Sequence, residues 1–171
     1  YINNLFDISA KIYHKNFQSS VNNAIGIFCS TKRRDDLRMW GHYANSHKGY
    51  VIIFNENHPF FTQQGHKAEE LRKIKAVFYA YKRPKVSYLM NLNSYDLFFT
   101  KSNDWKYEQE FRMIRPLKEA DYTINDSIFL FNLPPEAIQG VCLGSRMTEE
   151  NINKIKSIFK NNEVFKNKIL I

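Results

Sequence analysis

Two carboxylates and a guanidinium, Glu108, Glu110 and Arg112, recur at every second residue in the segment Trp105-Lys-Tyr-Glu-Gln-Glu-Phe-Arg-Met-Ile-Arg115. A strand from Tyr107 to Ile114 would place all three on one face and Gln109, Phe111 and Met113 on the other. A strand of this kind packs its apolar face on the core and leaves the charged face wet. The row is then either a solvated salt-bridge ladder or the floor of a site for a polar substrate. Lys101 and Trp105 stand just before this strand and would put a cation and an indole at its lip.

A second dense cluster is Met39-Trp-Gly-His-Tyr-Ala44. From Asp35 to Ser46 the spacing of Leu37, Met39, Trp40, Tyr43 and Ala44 predicts a helix, with Asp35 or Asp36 as its cap. Met39, His42 and Tyr43 share one face and Trp40 and Ala44 another. A histidine beside a tryptophan and a tyrosine suits a hydrogen bond to a substrate, or to a cofactor ribose, or a general base. Packing of a core helix around Trp40 is the commoner explanation of such a pattern. Lys32, Arg33, Arg34 and Arg38 form a basic patch at the start of this helix, either a phosphate receiver or a solvated surface. His42, His47, His58 and His66 lack a second ligand pair at metal spacing, so no metal site is expected. There is no Gly-x-Ser-x-Gly turn and no glycine-rich phosphate loop.

The elements around these clusters predict an α+β fold. Residues 8–22 read as a helix, and Ile25–Ser30, Gly49–Phe54 and Ile74–Tyr79 as strands bounded by polar residues. Pro84 precedes a run from Lys85 to Lys101 that has helical periodicity. Ser127–Asn132 and Ile138–Leu143 are two further strands separated by Pro134-Pro135. Thr148 caps a helix with Glu149 and Glu150 in its first turn and Ile152, Ile155, Ile158 and Phe159 as its stripe. Val164–Ile171 closes the chain as a strand. The elements do not alternate strictly. They imply mainly antiparallel or mixed sheets of six to seven strands with three to four helices, in one domain over residues 1–171.

The 171 residues can bury a proper core, and 43% apolar with 15% aromatic residues speaks against disorder. The net charge of +8 suits an anionic partner such as nucleic acid or a nucleotide, although many basic proteins bind neither. No run of about 18 apolar residues exists, so no membrane association is expected. Cys29 and Cys142 sit in apolar strand-like runs and read as small core residues. A reducing, cytoplasmic setting follows as the default expectation. The chain starts at Tyr1 without a signal-peptide pattern.

In their order and spacing the two clusters resemble the bacterial family called domain of unknown function 2971. Asn3-Asn-Leu-Phe-Asp7 is similar to its Asn-Asp-Pro-Phe-Asp/Glu motif, with Leu5 for the proline and Asn4 for the aspartate. Phe28-Cys29-Ser30 is similar to its Cys-Phe-Ser strand with the first two residues exchanged. Met39-Trp-Gly-His-Tyr-Ala44 with Lys48-Gly49, and Lys101…Trp105-Lys-Tyr-Glu108-x-Glu110-x-Arg112, closely follow its two hallmarks. Leu143-Gly144 to Met147 and the helix behind them fit its closing segment. In that family a further strand usually precedes the first motif, so the resemblance implies an N-terminal strand outside this sequence.

A fainter resemblance is to ADP-ribosyltransferases. Glu108-Gln109-Glu110 has the form of their Glu/Gln-x-Glu motif, and Phe28-Cys29-Ser30-Thr31 resembles their Ser-Thr-Ser strand, with Lys32 in place of the last serine. Their first-strand arginine or histidine has no match here. The resemblance implies NAD as the ligand, with Glu110, Glu108 and His42 catalytic and Trp40, Tyr43, Ser30, Arg112, Lys101 and Trp105 binding it. Glu110 would stabilise an oxocarbenium-like transition state, and Glu108 would orient or deprotonate the acceptor. Two other readings stay open. One is a basic nucleic-acid-binding or metal-dependent nuclease-like defence module, with exposed aromatics such as Tyr79 and Tyr81 and Mg²⁺ on the two carboxylates. The other is a non-catalytic interaction domain in which the charged row pairs across strands.

Overall fold

Strand formation begins where a short helix, α1 (residues 15–24), gives way to the β-branched and aromatic run of β1, Ile25–Thr31. The computed structural model describes residues 15–62, 72–82 and 98–171. Asp36 then caps α2, Leu37–Tyr43, its carboxylate accepting from the backbone N–H of Arg38 at 3.0 Å. Next come β2 (Tyr50–Phe54), the short helix α3 (Pro59–Thr62), β3 (Lys75–Ala76) and β4 (Phe78–Ala80). After them come β5 (Thr100–Ser102), a 3₁₀ turn over Asn103–Glu108, and β6 (Glu110–Pro116). The chain continues through β7 (Tyr122–Ile124), β8 (Ile128–Leu130), β9 (Ile138–Leu143), helix α4 (Glu149–Asn161) and β10 (Ile169–Leu170). The α+β expectation holds, with antiparallel and parallel pairs mixed. Ten strands stand among the described residues, because the strand expected over Ile74–Tyr79 splits into β3 and β4, and β5 and β7 form where no strand was expected.

The chain divides into two compact units. The first combines Tyr1–Phe28 with Ile114–Asn132. Its hairpin pairs β7 with β8, Tyr122 opposite Leu130 and Ile124 opposite Ile128. Asn125 and Asp126 both take φ of 50°, and Ser127 N–H closes the turn on the Ile124 carbonyl at 3.2 Å. This is the twist-matched two-residue turn that suits hairpins, and Asn and Asp tolerate its left-handed backbone. β7 was not expected from sequence, since only the second strand of the pair carries a continuous apolar run. The Arg115 guanidinium lies over the Phe131 ring at 4.9 Å.

The second unit, Cys29–Met113 with Leu133–Ile171, holds every residue of interest. Its central sheet runs β10-β9-β2. β2 pairs antiparallel with β9 from Tyr50–Leu143 to Phe54–Ile138, with a bulge at Ile53/Phe54, and β10 lies parallel on the other side of β9. β3 pairs antiparallel with β6, Lys75 opposite Arg112, and β4 pairs parallel with β5, Tyr79 opposite Lys101. Phe61, Phe99 and Met113 are fully buried, with Phe54 and Phe60 edge-on to Phe61 at 5.4 and 5.1 Å. α4 follows its expected bounds: Thr148 Oγ1 accepts from Asn151 N–H, and none of its residues is buried.

Several expectations are corrected. The helix expected over Lys85–Lys101 falls largely outside the described residues. Its described end turns from helix at Phe98–Phe99 into strand at Thr100, so Lys101 stands on a strand. Pairing with β4 overrides its helical periodicity. The strand expected over Ile74–Tyr79 breaks at Val77, whose N–H goes to the Glu110 carbonyl at 2.9 Å. The terminal strand shrinks to Ile169–Leu170. Cys29 is exposed rather than a core residue, and Cys142 is intermediate. Among the described residues no helix is long and apolar enough to cross a membrane.

Phe99→Ala is expected to cost about 3–5 kcal/mol, whereas Ile158→Ala on the exposed side of α4 should stay within about 0.5 kcal/mol. Urea unfolding of the two variants measures both.

Candidate functional site

Glu108 and Glu110 do reach one place, but not by strand alternation. Glu108 ends the 3₁₀ turn Asn103–Glu108, and β6 begins only at Glu110. Between them Gln109 takes a left-handed backbone, φ 42°, its N–H bonded to the Lys106 carbonyl. That kink swings the Glu108 side chain back toward Glu110. The face is not wet either: Glu108 is 2% exposed and Glu110 6%.

Lys101 on β5 sits between the two carboxylates. Its Nζ donates to Glu108 Oε2 and, at 2.9 Å, to Glu110 Oε2. Arg112, on the same face of β6 as Glu110, donates through Nε to Glu110 Oε1 at 2.7 Å and through Nη2 to Oε2 at 3.2 Å, while Nη1 holds the Phe98 carbonyl. Tyr43 OH donates to Glu108 Oε1 at 2.9 Å, from the end of α2. Two carboxylates and two cations thus form a charge-neutral cluster in which all four carboxylate oxygens are engaged. Fully satisfied buried networks of this sort are rigid, and each partner becomes costly to remove.

The titration behaviour follows from the geometry. Burial pushes the Glu110 carboxyl up, but hydrogen bonds from Arg112, Lys101 and Cys29 outweigh it and hold the group at about 2. Burial works against the Lys101 ammonium, and the bonds to Glu108 and Glu110 more than restore it, raising its value. Partial burial and the Glu108 bond lift the Tyr43 phenol. Although Cys29 as a residue is exposed, its thiol is partly buried, and that burial with the Glu110 carboxylate beside it pushes the thiol up to about 11. It is a protonated donor at neutral pH, not a thiolate nucleophile.

Aromatic rings line the rim. Trp105 is 40% exposed and Tyr43 is 64% exposed. The exposed His42 meets both rings edge-on, at 6.3 Å from Tyr43 and 6.5 Å from Trp105. Trp105 lies 6.0 Å from Tyr107, and Lys101 Nζ stands 5.2 Å from the Trp105 ring centre. The Arg38 guanidinium covers the Tyr107 ring at 4.0 Å.

The fold therefore brings together Glu108, Glu110, Arg112, Lys101, Tyr43, His42 and Trp105. It leaves out two expected site residues. Trp40 is buried, its indole N–H bonded to the Arg34 carbonyl at 2.6 Å and its ring stacked on His47, so it is a core residue. Ser30 lies on β1 between two residues that do reach the site, and alternation turns it to the opposite face. Those neighbours are Cys29, bonded to the Glu110 carboxylate, and Thr31, whose Oγ1 donates to the Glu108 carbonyl. Their i, i+2 spacing around Ser30 was the available signal. Tyr79 was also missed as a site residue: it is half-buried rather than exposed, and its hydroxyl accepts the Glu110 N–H at 2.8 Å. No local pattern announces that contact.

The basic patch is largely spent on its own acids. Arg33 pairs with Asp35 at 2.8 Å, Arg38 with Asp36 at 2.7 Å, and Lys32 stands 3.9 Å from Glu56. The Arg38 bond holds the Asp36 carboxyl at about 2. Among the described residues no three His, Cys, Asp or Glu side chains gather as a metal would need. A Mg²⁺ bridging Glu108 and Glu110 would have to displace Lys101.

These features define an α+β domain built around a buried Glu-x-Glu pair that shares a lysine beneath an aromatic rim. Residues 39–113, which contain both hallmarks, match the model of the family described as Protein of unknown function (DUF2971), so the resemblance carried by the two motifs holds. No curated protein and no solved structure matches the chain.

Lys101→Met would leave two buried carboxylates without their shared cation and should cost about 3–5 kcal/mol in denaturant unfolding. Glu110 is held below its ordinary 4.5, so its contribution to stability is present above that value and is lost as pH falls toward about 2. Stability of the native chain, followed by urea midpoint, should drop between about pH 5 and pH 2, and Glu110→Gln should flatten that limb.

Proposed function

We propose that the face around Glu108, Lys101 and Glu110 is the ligand site of a transferase of the ADP-ribosyltransferase type, with NAD as donor. One observation carries the reading: both carboxylates of the Glu-x-Glu segment converge on a single positive charge, the Lys101 ammonium, beside exposed aromatic rings. A site with that electrostatic design favours a cation at its centre. When bound, NAD would supply a ribosyl carbon on which positive charge grows as the bond to nicotinamide breaks.

Each residue then has a distinct task. Arg112 keeps Glu110 ionised, and Glu110 faces the developing charge. Glu108 accepts the acceptor's proton, a step that requires the Tyr43 hydroxyl to turn away from Oε1. Trp105 and Tyr43 offer ring faces on which a flat pyridinium can stack. His42, at the rim, is placed for a hydroxyl of the ribose. Lys101 has to withdraw from between the carboxylates, and its aliphatic stem and partial exposure allow that.

A second reading is favoured by a specific observation, the complete pairing of the four carboxylate oxygens. In it the cluster is a staple inside a non-catalytic interaction domain. Calorimetry with NAD separates the two. Saturable heat, together with label transfer from NAD that Glu110→Gln lowers by about 100-fold or more, is the expected result for the transferase. If NAD gives no heat and Glu110→Gln changes stability alone, the staple reading stands.

A further inference from the structure

The turn that follows α2 has an unusual backbone. Asn45, Ser46 and His47 take φ of 48°, 53° and 68° in succession. Left-handed residues other than glycine normally occur singly, so three in a row persist only where neighbours impose them. The first neighbour is α2 itself, whose Gly41 and Trp40 carbonyls accept from Ser46 and His47 N–H at 3.3 and 3.2 Å. The His47 ring stacks on Trp40 at 6.3 Å with only 12° between the planes. The second neighbour comes from about a hundred residues later. Gly144 N–H donates to the Gly49 carbonyl at 2.9 Å, and Arg146 N–H to the His47 carbonyl at 3.0 Å.

The approach is so close that no side chain fits. A Cβ on Gly144 would stand 2.2 Å from the His47 carbonyl oxygen and 2.7 Å from that of Gly49. On the turn's own side Gly49 is tight as well: its Cβ would lie 3.0 Å from the Ala44 carbonyl oxygen, to which its N–H donates at 2.8 Å. Ala44, buried, is the residue next to Tyr43.

We infer that Gly144 and Arg146 form a positioning clasp for the candidate site, fixing the left-handed turn so that the end of α2 delivers the Tyr43 hydroxyl to Glu108. The inference rests on the proposed site only for its importance to ligand; the clasp itself is a claim about geometry. α2 has seven residues, too few to hold its own end in place. Its start is tied by the Asp36 cap and by Trp40 to the Arg34 carbonyl. Its end is tied by the clasp. Neither Gly144 nor Arg146 is assigned contact with ligand; they act through Tyr43.

The test reads Tyr43 directly, by NMR titration of ring-labelled tyrosine, with Tyr43→Phe assigning the signal. In Gly144→Ala the Tyr43 phenol, raised in the native chain, should titrate at lower pH, toward its ordinary 10.0. Tyr79, bonded to the Glu110 N–H and likewise raised, should keep its value and serve as the internal control. Should Gly144→Ala fail to fold, Gly49→Ala applies a milder push on Ala44 and carries the same expectation. Ser46→Gly, which removes strain and leaves the backbone bonds, should leave Tyr43 unchanged. The clasp is overturned if Tyr43 keeps its titration in a folded Gly144→Ala or Gly49→Ala variant, if Tyr43 and Tyr79 shift together, or if Ser46→Gly alone releases Tyr43. Loss of the Tyr43 signature in a protein that gives no heat with NAD would retain the clasp and reject the transferase.

Discussion

One ammonium group shared between two buried carboxylates is the constraint around which the second unit is arranged. An uncompensated carboxylate in such surroundings costs several kcal/mol, so the chain has to deliver Lys101 to that point. Delivery explains otherwise odd features of the backbone. Strand β5 is only three residues long and pairs parallel with β4, which sets Lys101 opposite Tyr79. The left-handed Gln109 folds Glu108 back toward the same ammonium. Arg112, two residues along β6, supplies the second cation and so lets Glu110 stay ionised without claiming Lys101 entirely.

That arrangement reconciles two opposed views of the segment. As a packing device it is a neutral, fully bonded cluster that adds rigidity. In the proposed transferase it would also keep two negative groups poised for a developing positive charge, with the rings of Trp105 and Tyr43 beside them. The same bonds serve both, because the side chain that satisfies the carboxylates at rest, Lys101, is long, flexible and partly exposed.

Much of this was legible in the sequence. The residue types of Glu108, Glu110, Arg112, Lys101, His42, Tyr43 and Trp105 drew attention to segments that the fold does bring together, and periodicity placed β9, α2 and α4 well. Alternation misled at Glu108, because a single left-handed residue between two glutamates leaves no mark in the hydrophobic pattern. It misled again at Lys101, where the partner strand rather than local propensity decided the conformation. Trp40 looked like part of the cluster because Tyr43 and His42, close by on the same helix, do stand at it. Only the direction of its indole, turned inward to the Arg34 carbonyl, separates it from Tyr43 three residues on. Tyr79, Cys29 and Thr31 reach the carboxylates from other strands, and contacts set by sheet topology are invisible along the chain.

Gly144 carries a consequence for where this domain can be cut. The segment that matches the family's model ends at Met113, yet the strand that pairs with β2 and the glycine that grips the turn after α2 both lie beyond it. A fragment trimmed to the recognisable segment would expose the hydrogen-bonding edge of β2 and let the Asn45–His47 backbone relax to ordinary conformations. The smallest piece that folds is therefore longer than the smallest piece that can be recognised, and its C-terminal boundary lies past β9 and the Gly144 turn.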